Sequence, residues 1–507
     1  MYRQKLILAL FLLATLFVSC NDNDEEETAI AETYPVELSI SFPEKETDFL
    51  YSGWDDHKRV VAFRTDTRDA DKLVLTQSDG HTFLATSEKE ITEYTEFAFL
   101  YPTSASTVSA SDTLTQMLYV NKQDGTLDGL ADLDYTWGTY TYDEDEEDYA
   151  STIVMTPLMS FCKFQFTEMG CPIERISQVI ITSPTDSLHV VGELNLMDGS
   201  ITSQNRGSVV VRNTQGLAGE VYVALSPTET SLHFTISTLD GKSYEAVLSE
   251  VVKFEAGETF VYTDIPCSVL KPARIGNYYY NDATWSDALT EDKKCVGVVY
   301  ALNDANGNLD KNLSESGHGR VVALQDCAEQ VAWCITGEDI EELENQTMLR
   351  DTMYVGSLPY WKGASDSFFS DDAQEQLGGV EINPATGGIS AWYSVGALSD
   401  FDGQANTSQI LSSTGTYYAS TYCKDYGQGM YGWYLPSAGE LALLWTLHRS
   451  GFIGNETHEV FEDFDEFGYW TSTEYDEGNV WYINFWNGMI TKNSKASAYC
   501  VRSVIQF

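Results

Sequence analysis

The sequence predicts a mainly β protein, with two tandem antiparallel β-sandwiches followed by an α+β domain. In residues 34–267, short runs alternate apolar and polar side chains with a period of two, the pattern of strands with one buried face. Asp-Gly pairs, which favour tight hairpin turns, separate several of these runs. Beyond residue 276 the composition changes, because nine of the eleven tryptophans lie there.

These changes divide the 507 residues into six segments. They are a lipoprotein signal peptide (1–19), an acidic tether (20–33), a first sandwich (34–150), a second sandwich (151–267), a linker (268–275) and a C-terminal domain (276–507). The clearest strand patterns are 36–42, 96–101, 161–167, 178–182, 219–225, 231–236, 244–248 and 259–262.

Two segments of the C-terminal domain have helical patterns, Asp326–Ile335 and Ser437–His448. In the second, Pro436 stops the preceding strand and Ser437 is placed as the N-cap. Glu440, three residues later, would complete a capping box.

The N-terminus resembles that of a bacterial lipoprotein. A basic start and a 13-residue, largely apolar run at 6–18 end in Ser19-Cys20, so Cys20 is the predicted lipidation site. The acidic run 21–27 resembles the surface-export signal of Bacteroidetes lipoproteins. The alternative is an ordinary signal peptide followed by an unrelated cysteine. We expect an outer membrane lipoprotein precursor at the cell surface.

Charge and residue patterns exclude several classes of function. With 29 basic and 77 acidic residues, the formal net charge of −48 disfavours binding to nucleic acids and to anionic membranes. No later stretch of 18 apolar residues predicts a transmembrane helix. There is no Gly-x-Ser-x-Gly elbow, phosphate loop or complete zinc-protease motif, so we expect no enzymatic activity and no cofactor.

Eight cysteines remain beyond Cys20, and in an exported protein an even number permits disulfides. Cys327 and Cys334 are close enough for a local bridge, and Cys423 and Cys500 flank the last module. Free buried thiols are the alternative.

One loop has the oxygen-ligand spacing of an EF-hand calcium site. Its candidate ligands are Asp304, Asn306, Asn308, Asp310, Asn312 and Glu315. However, Leu309 replaces the glycine expected at position six, and no helices flank the loop. We therefore favour a polar hairpin insertion between strands over a calcium site.

The N-terminal half resembles the fimbrillins, the pilus subunits of Bacteroidales. The resemblance rests on the order of an alternating first strand, the Trp54-Asp55-Asp56 turn, Phe83 and the Phe99–Pro102 strand end. It implies two tandem transthyretin-like sandwiches. It also implies assembly by donor-strand exchange, in which a protease cuts after an arginine and removes the first strand. The candidate strand is Val36–Phe42, and the candidate processing sites are Arg59, Arg64 and Arg68.

The C-terminal domain resembles the C-type-lectin-like domain of the Fibrobacter succinogenes major paralogous proteins. The motifs that carry the resemblance are Gly432–Leu441, Tyr469–Glu474, Val480–Phe485 and Val501–Val504. Most tryptophans of so irregular a domain should lie in its core. Polar groups beside aromatic rings are what sugar recognition needs. The predicted ligand-binding residues are Trp392, Tyr393, Glu474, Tyr475, Asp476, Asn479 and Trp486.

Together these resemblances predict a fimbrial subunit at the tip of a pilus. Its lectin-like domain would bind a glycan or a surface protein of a host or partner cell, and its sandwiches would bind other fimbrillin subunits. The strand 499–507 belongs to the lectin-like domain, which leaves no spare strand to donate. A stand-alone, lipid-anchored glycan-binding protein is the alternative, and an enzyme on a lectin-like scaffold is a third.

Overall fold

The fold is mainly β, as the sequence predicts. The computed structural model describes residues 34–41, 60–65, 71–79, 82–87, 90–102, 114–142, 152–184, 188–310, 312–335, 340, 343, 348–350, 380–383, 388–391, 393–395, 397, 400–465, 468–485 and 490–507.

The first sandwich is one eight-stranded sheet that closes on itself, in the order β10-β8-β5-β2-β3-β4-β1-β9. Its two edge strands, β9 and β10, are consecutive in the chain, with only Met155 between them, so the two edges of the sheet meet. The sheet therefore encloses a core that includes Phe97, Phe99 and Ile153. The elements in this part of the chain are β1 (Tyr34–Ser41), β2 (Val61–Arg64), β3 (Asp71–Asp79), β4 (Thr82–Ser87), β5 (Glu96–Tyr101), β6 (Thr115–Tyr119), β7 (Lys122–Gln123), helix α1 (Leu127–Leu130), β8 (Thr136–Thr141), β9 (Thr152–Val154) and β10 (Thr156–Pro157).

Strand β1 lies between two other strands. It pairs antiparallel with β4 and parallel with β9, where Ile40 lies opposite Ile153. Ile40 is fully buried. The sequence places this strand at Val36–Phe42, and Phe42 lies outside the described residues.

The structure argues against Arg64 as a processing site. Arg64 lies in β2, opposite Asp71 of β3 and Phe97 of β5. Its side chain is buried, and its Nη1 donates to the Glu90 carbonyl at 2.7 Å. Proteases cut exposed and mobile chain, which a strand paired on both edges does not offer. Cys20, Arg59 and Arg68 lie outside the described residues.

The second sandwich shares strands with the first across the predicted boundary at residue 150. β9 and β10, which follow residue 150, belong to the first sandwich, whereas β6 and β7 pair with β14 and β16 of the second. The remaining strands are β11 (Ser160–Glu168), β12 (Cys171–Pro172), β13 (Ile176–Thr182), β14 (Leu188–Asn195), β15 (Ile201–Gly207), β16 (Val209–Leu217), β17 (Glu220–Leu225), β18 (Thr228–Thr238), β19 (Ser243–Phe254), β20 (Thr259–Pro266) and β21 (Ser268–Leu270).

Part of the predicted linker is a strand. β21 pairs with β19, so the sheet continues to Leu270 and the linker prediction is wrong for these three residues. The segment forms a strand because its backbone hydrogen-bonds to the edge strand β19. Sequence composition does not indicate such a pairing.

The C-terminal domain contains two five-stranded sheets, β23-β22-β24-β25-β35 and β26-β34-β31-β32-β33. Its strands are β22 (Tyr278–Tyr280), β23 (Trp285–Ser286), β24 (Cys295–Leu302), β25 (Gly319–Ala323), β26 (Ala328–Ala332), β27 (Met348–Arg350), β28 (Val380–Asn383), β29 (Gly388–Ala391), β30 (Tyr393–Val395), β31 (Tyr469–Asp476), β32 (Asn479–Ile483), β33 (Ile490–Ser494), β34 (Ala498–Val501) and β35 (Val504–Gln506). Its helices are α2 (Gly403–Ser412), α3 (Tyr418–Lys424) and α4 (Ala438–Arg449).

One of the two predicted helices is confirmed and the other is wrong. α4 begins after Ser437, and the N-cap backbone N–H donates to Glu440 Oε2 at 2.9 Å, as the capping box requires. The segment Asp326–Ile335 instead contains β26, which pairs with β34. None of the helices in the described ranges has both the length and the apolar character needed to cross a membrane.

The C-terminal domain packs directly on the second sandwich. Ile180 of β13 lies in one apolar cluster with Trp433 and Phe507. Polar contacts surround this cluster: Ser177 Oγ lies 3.1 Å from His318 Nε2, and Ser237 Oγ donates to the Gly317 carbonyl at 2.9 Å. This contact therefore buries both apolar and polar groups from each domain.

None of the eight described cysteines forms a disulfide, and the local Cys327–Cys334 bridge is absent. The thiols of Cys327 and Cys423 instead lie close enough to influence each other's ionisation. Ser503 lies against both residues, since its Oγ is 2.9 Å from Cys327 Sγ and donates to the Cys423 carbonyl at 2.9 Å.

We predict that oxidation joins Cys327 to Cys423. Exchange with a small disulfide such as oxidised glutathione would take two electrons and two protons from the two thiols. Mass spectrometry of unreduced proteolytic peptides should show this pair, and the bond should raise the unfolding free energy by about 2–4 kcal/mol. Cys423→Ser should leave Cys327 free. A Cys327–Cys334 or Cys423–Cys500 peptide as the main product would contradict the prediction.

We predict that the domain contact weakens in acid through His318. Burial, followed by the positive charge of Arg212, lowers the pKa of His318 from 6.5 to about 4. The unfolded chain therefore binds a proton between these pH values that the folded chain does not. Stability is complete above pH 6.5 and falls by about 3 kcal/mol as the pH approaches 4.

Chemical denaturation from pH 7 to pH 4 measures this loss. His318→Gln, which cannot titrate, should show a smaller decrease in unfolding free energy than the natural chain. Equal decreases in the two proteins would show that His318 is not the responsible group.

Candidate ligand-binding sites

The Gly432–Leu441 motif builds a buried polar centre. Glu440 is fully buried and pairs with the guanidinium of Arg320. Its Oε1 also accepts from the Tyr434 hydroxyl at 2.7 Å and from the Tyr300 hydroxyl at 3.3 Å. The motif therefore has a structural role, because its carboxylate joins α4 to strands on both sides.

Glu474 does not face a ligand, so the prediction of a binding role for this residue is corrected. Its carboxylate is fully buried, forms an ion pair with the buried Lys495 ammonium and accepts from the Ile340 backbone N–H at 3.2 Å. A buried carboxylate with these partners is satisfied internally. The Lys495 ammonium also lies over the Trp333 ring, 5.2 Å from its centroid.

The other described residues of the predicted site gather at the tip of the β31–β32 hairpin. The half-buried Tyr475 packs edge-to-face on Trp481, with ring centroids 5.1 Å apart, and the Lys492 ammonium lies 3.7 Å from the centroid of the Tyr475 ring. Asp476 accepts from the Asn479 side chain at 2.7 Å. We call Tyr475, Asp476, Asn479 and Lys492 the hairpin tip.

The hairpin tip offers an aromatic ring, a cation, a carboxylate and an amide on one partly exposed edge. Burial raises the pKa of the Asp476 carboxyl, but the hydrogen bonds from Asn479 and Gly478 outweigh it and lower that pKa overall, which keeps the group ionised. Trp392 and Trp486 lie outside the described residues, and of Tyr393 only the backbone, in β30, is described.

The tryptophans of the described C-terminal motifs are core residues. Trp333, Trp433, Trp445 and Trp470 are fully buried, and Trp481 is nearly so. The indole N–H of each of the first four donates to a backbone carbonyl, at 2.9–3.0 Å. These rings therefore fill the domain and also fix its loops.

The loop with calcium-like spacing uses its carboxylates internally. Asp304 Oδ1 accepts from the backbone N–H groups of Asn306 and Asn308, at 2.8 and 2.9 Å. Asp310 caps the following turn in the same way, and Glu315 forms an ion pair with Arg274 at 2.9 Å. Within the described ranges, no group of three His, Cys, Asp or Glu residues is placed to hold a metal ion.

The same loop forms one wall of a cleft that the sequence did not reveal. The cleft has a volume of about 430 Å³ and lies where the second sandwich meets the C-terminal domain. A smaller cavity of about 150 Å³ continues it, and the two share Arg212, Gln404 and Gln506. Most lining side chains are polar; the full set is Arg212, Asn306, Gly307, Asn308, Leu309, Arg320, Phe401, Asp402, Gln404, Ala405 and Gln506.

Arg212 is the side chain that links the two cavities. It follows the apolar run of β16, and its Nε donates to Gln178 Oε1 at 2.7 Å. Burial of the guanidinium, with a smaller effect of neighbouring Arg320, lowers the pKa of Arg212. In the sequence, the sign of an unusual position is that Arg212 directly follows three valines. The sequence does not indicate which residues surround this arginine.

Residues 390–505 match the family described as the Lcl C-terminal domain. No curated protein matches the sequence.

Among solved structures, a fimbrial protein from Bacteroides ovatus is 14% identical, covers 94% of this chain and 100% of its own, and has a TM-score of 0.34. A candidate cell adhesion protein from Bacteroides uniformis is 13% identical over 46% of this chain and 96% of its own, with a TM-score of 0.31. A fimbrial assembly protein from Parabacteroides distasonis is 11% identical over 44% of this chain and 88% of its own, with a TM-score of 0.23.

The chain is thus similar to fimbrial and cell adhesion proteins of Bacteroides and Parabacteroides, and residues 390–505 are similar to the Lcl C-terminal domain.

Proposed function

We propose that this protein is a cell-surface fimbrial subunit whose C-terminal domain is a lectin-like, adhesive head. The observation that carries the proposal is the position of β1. This strand is held between β4 and β9, with Ile40 in the core, and its removal would open a groove lined by backbone donors and acceptors on both sides. Such a groove is what a donor strand from another subunit needs.

The strand β35 is an integral part of the C-terminal domain. β35 pairs with β25 inside the C-terminal domain, and Phe507 is buried among Tyr279 and Trp285. This strand is therefore in use and cannot enter the groove of another subunit without unfolding the domain. Because β35 cannot serve as a donor strand, we propose a position at the end of a fibre, where a subunit accepts a strand and donates none.

The proposed adhesive contact is a glycan at the hairpin tip. Aromatic rings bind the C–H faces of sugars, and the neighbouring charged and amide groups can pair with hydroxyls. Tyr475 is held by its edge-to-face contact with Trp481 and by the Lys492 ammonium over its ring, so little conformational entropy would be lost on binding.

We predict that fibres from the native bacterium carry this protein only at their ends. Immunogold labelling against the C-terminal domain should mark fibre tips. Mass spectrometry of the mature protein should find its N-terminus after Arg59, with β1 removed, or after Arg68, with both β1 and β2 removed. Arg64→Ala is the matched control and should not change processing, because Arg64 is buried in β2.

Two outcomes would contradict the fibre proposal. Labelling along the shaft would exclude a tip subunit. A mature protein that keeps a lipidated Cys20 would instead identify a stand-alone, lipid-anchored surface protein.

We predict that Tyr475→Ala and Lys492→Ala each weaken binding to glycans that the full chain recognises on an array by about tenfold or more. Tyr422→Ala is a control, because Tyr422 is an exposed aromatic residue of α3 and not of the β31–β32 hairpin. Unchanged binding by both hairpin variants would place the glycan contact elsewhere.

A further inference from the structure

The cleft between the second sandwich and the C-terminal domain contains a cation without a counter-charge. In the described part of the chain, no carboxylate lies within 4 Å of the Arg212 guanidinium, and its two terminal nitrogens make no hydrogen bond. Nη1 lies beside the Asn306–Asn308 turn, 3.6 Å from where a side chain at Gly307 would begin. The free edge of the guanidinium therefore belongs to the cleft.

A second cation accompanies it. Lys122 of β7 lies next to β16, opposite Val210, and lines the smaller cavity together with Arg212. Within the described ranges, Lys122 also lacks an ion-pair partner, whereas the nearby Arg320 is matched by Glu440. Partial desolvation of the ammonium of the otherwise exposed Lys122, followed by the charge of Arg212, lowers the pKa of Lys122.

This arrangement is unusual for the composition of the chain. With 77 acidic and 29 basic residues, most cations should find a carboxylate nearby. Two adjacent cations without one repel each other, and desolvating a guanidinium costs free energy unless an anion compensates it. The one acidic residue that lines the cleft, Asp402, is exposed and outside ion-pair distance of both.

The rest of the lining is neutral. The amide side chains of Asn306, Asn308, Gln404 and Gln506 offer both donors and acceptors, and Phe401 and Leu309 add apolar surface. Amides of this kind can pair with hydroxyl groups in either direction, and an aromatic ring suits the apolar face of a sugar. A volume of about 430 Å³ is within the usual range for small-molecule sites, roughly 300–1,000 Å³.

We propose that this cleft binds a sugar acid, with the ligand carboxylate on Arg212 and its hydroxyls on the surrounding amides. A planar carboxylate matches the two free terminal nitrogens of one guanidinium, which can donate in a bidentate manner. Lys122 adds a second positive charge at the rim. This site is separate from the hairpin tip and does not depend on the adhesive role of that hairpin.

The experiment is isothermal titration of the full chain with sodium D-glucuronate and D-galacturonate, and with the neutral sugars D-glucose and D-galactose. The acids should bind at least about tenfold more tightly than the neutral sugars. Arg212→Gln should lose that preference, and Lys122→Gln should reduce it. Arg449→Gln, an exposed arginine at the end of α4, is the matched control and should behave as the natural chain does.

Three results would overturn the proposal. They are equal binding of acidic and neutral sugars, unchanged uronate binding by Arg212→Gln and Lys122→Gln, or tighter binding of a short peptide with a free C-terminal carboxylate than of either uronate. Thermal unfolding of each variant separates loss of binding from loss of folding, and the exposed Lys122 provides a second test if Arg212→Gln is unstable. Tyr475→Ala should leave uronate binding unchanged, which distinguishes this cleft from the hairpin tip.

Discussion

The C-terminal domain is organised around one buried carboxylate. Taking Glu440 out of water costs several kcal/mol, and only complete pairing compensates that cost. Arg320, two tyrosine hydroxyls and the Ser437 N–H provide the pairing, and each comes from a different element or loop end. Gly403 approaches the same carboxylate so closely that a side chain there would collide with it. The start of α2, the start of α4 and the strands β24 and β25 are therefore all connected through one buried carboxylate.

The same centre shapes the cleft. Arg320 also donates from Nε to Asn303 Oδ1, at 3.1 Å, and from Nη1 to the Phe401 carbonyl, at 2.7 Å. These contacts fix the loop before α2, and with it Phe401 and Gln404, which line the cleft. Arg320 and Arg212 face the same space but differ in electrostatics, because only Arg320 has a carboxylate partner in the described part of the chain.

The sequence predicted what depends on local pattern. Period-two alternation located β1, and the Ser437-x-x-Glu440 spacing located α4. The sequence-based predictions were wrong where contacts between residues far apart in the chain determine the structure. Ala328–Ala332 contains good helix formers yet forms β26, because β34 provides a sheet edge. Glu474 resembled an exposed ligand-binding residue because its partner, Lys495, is 21 positions away. The cleft was hidden for the same reason, since its walls come from β16, the loop after β24 and the start of α2.

The position of the cleft connects binding to the contact between domains. Arg212 belongs to the second sandwich, whereas Gln404 and Gln506 belong to the C-terminal domain. A ligand held by both sides adds its binding free energy to that of docking, so occupancy and docking favour each other. The charge of Arg212 also helps to keep His318 neutral at the same contact. A bound carboxylate would offset that charge, and His318 would then accept a proton at a higher pH. Ligand binding and acid sensitivity at this contact are therefore linked through one guanidinium.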